Sequence, residues 1–266
     1  MITIFIRTIK DRWRMLLAMC IIGVGSQLMY ISLYPTFQSS QINYDDLMKQ
    51  MPEAFKKVIN MDSFSMDTIE QYLTMEMYSM FWLVLTIILT LSLAGSSLAN
   101  DVERETIIQS ASQPVSRTKI FFSRWLAAVS IYTAFNFVIN AVVFPLCAVF
   151  NVDYLPSHFL AVGVMGELLG LALLSLAFAI SAWLSDKGKV YMVMGGTVLI
   201  MYVLNIISSL KDNLANLKYI SIFHYFDPNK ALIQGQYDFS AIVVFLGIIV
   251  VSTLIGWWRW RTRDVV

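Results

Sequence analysis

Residues 158–184 read HFLAVGVMGELLGLALLSLAFAISAWL, a block with one carboxylate, Glu167, and no lysine or arginine. A bilayer core about 30 Å thick is crossed by roughly 20 apolar residues in a helix. Inside lipid only a helix or a closed barrel satisfies its own backbone hydrogen bonds. This stretch therefore reads as a membrane span. Five more blocks qualify, at 15–34, 77–99, 125–150, 190–210 and 239–258, and none of them contains a lysine or arginine. Pro35 closes the first block, and Pro156 sits in the short connection between the third and fourth. Pro145 predicts a kink or an early end in the third, because proline removes a donor and clashes with the preceding turn. The expectation is a single all-α integral membrane domain over residues 1–266 with six transmembrane helices.

Composition agrees. Of the 266 residues 58% are hydrophobic and 14% charged, with a mean hydropathy of +0.65. A soluble domain carries about a quarter charged residues. Cys20 and Cys147 both lie inside apolar blocks with no spacing pattern, and they read as small apolar fillers. Basic residues ahead of the first block resemble a signal peptide. The block is about 20 residues long without a small-residue cleavage site, so a retained first helix is expected.

The net charge of +1 is uninformative about partners because the charges are sorted by loop. One side collects Arg7, Lys10, Arg12 and Arg14, then Arg104, Arg117, Lys119 and Arg124. Lys187, Lys189, Arg259, Arg261 and Arg263 bring that side to 13 of the 19 basic residues, and the other side holds 6. The positive-inside rule places both termini in the cytoplasm of a cell-membrane protein. An even number of spans requires the two termini to share a side.

Three loops have their own character. Within residues 1–14, Ile2, Phe5, Ile6, Ile9 and Trp13 share a helical stripe, with Arg7, Lys10 and Arg14 off it. This predicts an N-terminal interfacial helix, the alternative being an extension of the first span. The loop 35–76 has seven acids against three bases and a helical stripe through Leu47, Met51, Phe55, Val58 and Ile59, the pattern of a structured cap. Residues 211–238 carry Tyr219, Ile220, Ile222, Phe223, Tyr225 and Phe226. That is too apolar for a free loop and too short for a span, so a re-entrant or interfacial segment is expected before the sixth span.

Several chemistries are missing. A phosphate-binding loop needs Gly-x-x-x-x-Gly-Lys and then Ser or Thr. Gly188-Lys189 is the one Gly-Lys pair; Trp183 stands where the first glycine belongs and Val190 follows. His158 and His224 lie in different segments without metal-ligand spacing, and there is no Gly-x-Ser-x-Gly elbow. The chain is expected to be neither an enzyme nor a cofactor carrier, and nucleic acid is not an expected partner. Among the spans Glu167 stands out, flanked by Gly166 and Gly170. It reads either as a point on a substrate or proton pathway or as a helix–helix hydrogen-bonding group, with the glycines admitting a close neighbour. Asn136 and Asn140, one turn apart, form a second polar stripe with the same two readings.

Between the second and third spans the chain reads Asn100-Asp101-Val102-Glu103-Arg104-Glu105-Thr106-Ile107-Ile108, then Gln109-Ser110-Ala111-Ser112-Gln113-Pro114-Val115-Ser116-Arg117. This resembles the permeases of the type-2 ABC exporter family, which carry Glu-Arg-Gly-Thr, a short apolar helix and Pro-Val-Ser-Arg at this place. Glu103, Arg104, Thr106, Gln113, Pro114, Val115, Ser116 and Arg117 match with the same spacing, and Glu105 stands where the family usually has glycine. The stretch from Tyr219 to Pro228 is similar to the family's outer segment. The resemblance implies a cytoplasmic coupling helix, with Glu103, Arg104, Glu105, Thr106, Ile107, Pro114, Val115, Ser116 and Arg117 docking a separate ATP-binding cassette subunit. It further implies a second permease copy or homologue, surrounding membrane lipid, and ATP and Mg held by the cassette. Family members export lipids, glycans, drugs, ions or antimicrobial peptides, and the acidic outer loop favours a peptide or amphiphile. The competing expectation is a gradient-driven transporter or channel working through Glu167.

Overall fold

The computed structural model describes residues 1–39, 67–99, 116–210 and 212–263. Six helices are long and apolar enough to cross a membrane. They are α1 (Ile2–Ser39), α2 (Ile69–Leu98), α3 (Arg117–Phe150), α4 (Pro156–Trp183), α5 (Lys187–Leu210) and α6 (Phe239–Thr262). No strand occurs among the described residues. The chain is an all-α, multi-pass membrane protein. The stripe from Leu47 to Ile59 lies outside the described residues, as do Glu103, Arg104, Glu105, Thr106, Ile107, Pro114 and Val115 of the expected coupling helix.

Helices α2 and α4 are mostly buried and form the centre, whereas α1 and α5 are the least covered. Lipid tails are as apolar as leucine, so close packing rather than water avoidance joins helices in a membrane. The sequence supplies that closeness with glycines on α4 and α6. A Cβ on Gly166 would stand 2.8 Å from the Trp82 ring, and one on Gly170 1.9 Å from Cζ of Tyr132. At the α4–α6 contact a Cβ on Gly256 would come within 3.0 Å of Cα of Ala179. Trp82, Tyr78, Tyr132, Phe135 and Phe178 fill the interior and are fully buried.

Several expected boundaries shift. Residues 1–14 form no separate interfacial helix: α1 runs unbroken from Ile2. Nothing between Ile2 and Ile22 breaks a helix, so the N-terminal turns continue the span. Its 38 residues extend about 57 Å, well beyond a hydrocarbon core. Pro35 lies inside α1 rather than closing it. Its lost bond falls near the helix end, where few turns depend on it. In α3 the break comes at Val142, between helical stretches Arg117–Ala141 and Val143–Phe150. Pro145 offers no N–H to Ala141 and its ring crowds that carbonyl, so the kink sits one turn ahead of the proline. Asn151, left-handed at φ 53°, then ends α3, with Val152 N–H donating to Cys147 at 2.9 Å.

Helix α2 starts at Ile69, two turns before its apolar block. Thr68 and Gln71 build a capping box there, and Tyr72 and Leu73 are buried. Hydropathy marks the hydrocarbon and capping marks the helix, so the two bounds differ.

Residues 212–238 fold back on the bundle as short helical turns, Asp212–Ile220, Ile222–Tyr225 and Asn229–Ile233. Phe226 stacks on Trp82 at 5.4 Å, and Ile222, Phe223 and Leu232 are buried. Gly235 has φ +64°, and a Cβ there would also lie 2.6 Å from the His158 ring, so glycine is required twice over. The His158 Nδ1–H donates to the Leu232 carbonyl at 3.0 Å. Asp238 caps α6, accepting from Ser240 N–H at 3.0 Å and Ala241 N–H at 3.3 Å. The Ser240 hydroxyl, the Ala241 N–H and Lys230 together hold its carboxyl down at about 2, against a smaller opposing effect of burial.

Candidate functional site

The structure brings Glu167, Asn136 and Asn140 together in one hydrogen-bond chain across four helices. On α4, one Glu167 oxygen accepts from Thr133 Oγ1 at 2.5 Å and the other from Asn136 Nδ2 at 3.0 Å. Asn136 also donates to the Gly163 carbonyl at 2.9 Å. Asn140 donates to the backbone and side-chain oxygens of Asn136 at 2.8 and 3.0 Å. Tyr78 of α2 donates to Asn140 Oδ1 at 2.9 Å, and Gln27 of α1 reaches the Tyr78 hydroxyl at 3.4 Å. A parallel link runs from Tyr132 Oη to the Gly166 carbonyl at 2.9 Å.

Magnitudes explain why an acid is tolerated here. Insertion scales place an acid at a helix centre at roughly 2.5–3.5 kcal/mol. Hydrogen bonds to a charged acceptor contribute about 1.5–3 kcal/mol each, and Glu167 accepts two. The belt alone is sufficient to hold it. The chain runs from Gln27, fully buried in α1, to Thr133, exposed on the flank of α3, with Glu167 half-buried beside it.

Gln27, Tyr78 and Thr133 are the members that sequence reasoning missed. Gln27 was visible as an amide in mid-span, but nothing in the linear order pairs it with a tyrosine 51 positions on. A buried acid outside the apolar blocks was missed as well. Glu70 is 5% exposed and its Oε1 accepts the Leu155 N–H at 2.7 Å, at the N-cap of α4. Its place inside the Thr68–Gln71 capping box was the available signal.

At the basic end the described part of the expected docking segment is Ser116 and Arg117. Ser116 caps α3, accepting from Lys119 N–H at 3.4 Å. Arg117 donates to the Arg263 carbonyl in the C-terminal tail. Among the described residues no three His, Cys, Asp or Glu side chains gather as a metal site requires.

Comparison with protein-family models matches residues 5–265 to the ABC-2 family transporter proteins. The chain belongs to the ABC-2 transporter family. The match takes in all six helices, the segment between α2 and α3, and the folded-back turns before α6. An ABC-2 membrane protein is the permease part of an ABC transporter, so membership implies an ATP-binding cassette partner. No curated protein matches the chain.

Proposed function

We propose that this ABC-2 permease is the membrane-spanning subunit of an exporter in the cell membrane, moving an amphiphile, drug or antimicrobial peptide outward. A separate cassette subunit binds ATP and Mg and supplies the energy, while this chain binds neither and catalyses no reaction. Two permease copies, or this chain and a homologue, enclose the pathway, and both termini face the cytoplasm. The observation that carries this reading is the family match over residues 5–265 together with Glu103-Arg104 and Pro114-Val115-Ser116-Arg117 at the family's spacing. The flanks of that segment support it: α2 ends and α3 begins on the side to which the loop sequences assign 13 of the 19 basic residues. The exposed apolar faces of α1 and α5 leave surface for lipid and a second permease.

In this reading Glu103, Glu105 and Arg117 make rim contacts to the cassette around an apolar anchor of Ile107, Ile108 and Val115. Rim charges set register and rate, and buried anchors set affinity. Replacing Glu103 and Glu105 together by lysine is expected to weaken cassette association or uncouple ATP hydrolysis from transport. Membrane insertion is expected to be unchanged, because neither residue lies in an apolar block. Pull-down of the cassette with ATPase assay of the same complex reads the outcome. Unchanged association and coupling would refute the docking role.

A further inference from the structure

The last turn of α2 leads directly into the segment that begins at residue 100. That turn, Gly95–Ala99, is wound as a π-helix, a form that is rare and concentrated at functional sites. The final carbonyls of a helix have no partner within it. Here two of them, and the Ala94 carbonyl just ahead of the turn, are taken by three other helices. Ser181 of α4 donates to the Ala94 carbonyl at 3.0 Å, and Arg12 of α1 to the Ser96 carbonyl at 2.9 Å. Arg124 of α3 donates to the Ser97 carbonyl.

The other flank of the segment is tied in the same way. Arg117, the first residue of α3, donates to the backbone carbonyl of Arg263. The Arg263 side chain, 7% exposed, donates to the carbonyls of Ala182 at 3.2 Å and Leu184 at 3.0 Å where α4 ends, and also to Ser185. Trp257 of α6 reaches Thr118 of α3 at 3.2 Å. Of the arginine bonds named, all but the one from Arg263 to Ser185 grip backbone rather than flexible side chains, so a displaced helix end pulls its neighbours with it. The planar guanidinium suits this, since its fork is pre-organised and spans two acceptors at once.

We infer that Arg12, Arg124 and Arg263, with Ser181, form a yoke of positioning residues that turns displacement of residues 100–115 into joint movement of α1, α2, α3, α4 and α6. The inference rests on the docking role given above to Glu103–Arg117. Without the yoke, a push would be spent in fraying the π-helical turn and the first turn of α3.

The test uses the permease–cassette complex in lipid nanodiscs, with amide hydrogen exchange compared between nucleotide-free and ADP–vanadate-trapped states. In the natural chain, trapping is expected to change exchange together in peptides covering residues 1–14, 95–99, 181–186 and 257–263. The triple variant Arg12→Lys, Arg124→Lys, Arg263→Lys keeps every positive charge but loses the forks. It is expected to retain the cassette, while the response outside residues 95–124 falls about threefold, as loss of one net hydrogen bond per link would produce. Ser181→Ala, which alters no charge, is expected to reduce the response at 181–186 alone. A full response in the triple variant would overturn the yoke. So would loss of the cassette from it, which would make these arginines docking residues. The Glu103→Lys, Glu105→Lys variant tests docking separately, since there cassette association is expected to weaken or hydrolysis to uncouple from transport.

Discussion

Glu167 is the residue on which the structure changes the argument most. Read alone, a carboxylate in a membrane span has two explanations, a pathway group or a helix–helix bond. With Thr133 and Asn136 each donating to one of its oxygens, the acid has a structural reason to exist. Glu167→Gln keeps an acceptor and is expected to preserve assembly, with a loss of about 1 kcal/mol. Glu167→Leu strands both donors and is expected to cost roughly 1–3 kcal/mol more. Thermal unfolding in detergent and the amount of folded protein in the membrane measure both. A glutamine variant that assembles normally but transports nothing would return Glu167 to the pathway.

At the scale of elements, the α4–α6 seam shows how composition becomes packing. Gly256 meets backbone, Cα of Ala179 at 3.0 Å from a would-be Cβ, whereas Gly247 on the same helix has nothing within 4 Å. Backbone cannot swing aside as a side chain can. Gly256→Leu is therefore expected to cost about 1–3 kcal/mol, the usual range for overpacking, and to lower the unfolding temperature. Gly247→Leu is expected to leave stability unchanged. Equal effects from the two would remove this seam from the account of what holds α6. Helix α2 is also mixed in character, with π-helical stretches at Thr74–Phe81 and Gly95–Ala99 on either side of a regular α segment. Tyr78 of the first stretch enters the polar belt, and the second carries two of the gripped carbonyls, those of Ser96 and Ser97.

For the whole molecule the open quantity is which way it faces. We propose from the 13-to-6 division of basic residues that the termini face the cytoplasm. In a Cys20→Ser, Cys147→Ala background, Leu155→Cys and Tyr237→Cys are expected to react with an impermeant thiol reagent added to intact cells. Both positions are more than half exposed in the fold, so a failure to react could not be blamed on burial. Lys119→Cys, at the basic end, is expected to react only after the membrane is opened. Labelling of position 119 from outside would invert the protein, and with it the direction of transport.

The number and composition of the spans and the family were readable from the chain, because a bilayer imposes its requirement locally. Twenty residues must be apolar wherever they cross, whatever they later touch. Asn136, Asn140 and Glu167 were legible as polar marks for the same reason: against an apolar background each is conspicuous. Their partners were not. Gln27, Tyr78 and Thr133 join the belt, and Arg12, Arg124 and Arg263 grip carbonyls, across separations of 27 to 84 residues. Such pairings are set by which helices lie side by side and in what rotation. Long apolar blocks say little about rotation, since nearly every face is hydrophobic. The glycines and aromatic rings decide it, by allowing close approach at places such as Gly170 against Tyr132 and Gly166 against Trp82. That steric choice belongs to the assembled bundle, and it is what turns scattered polar residues into a belt and a yoke.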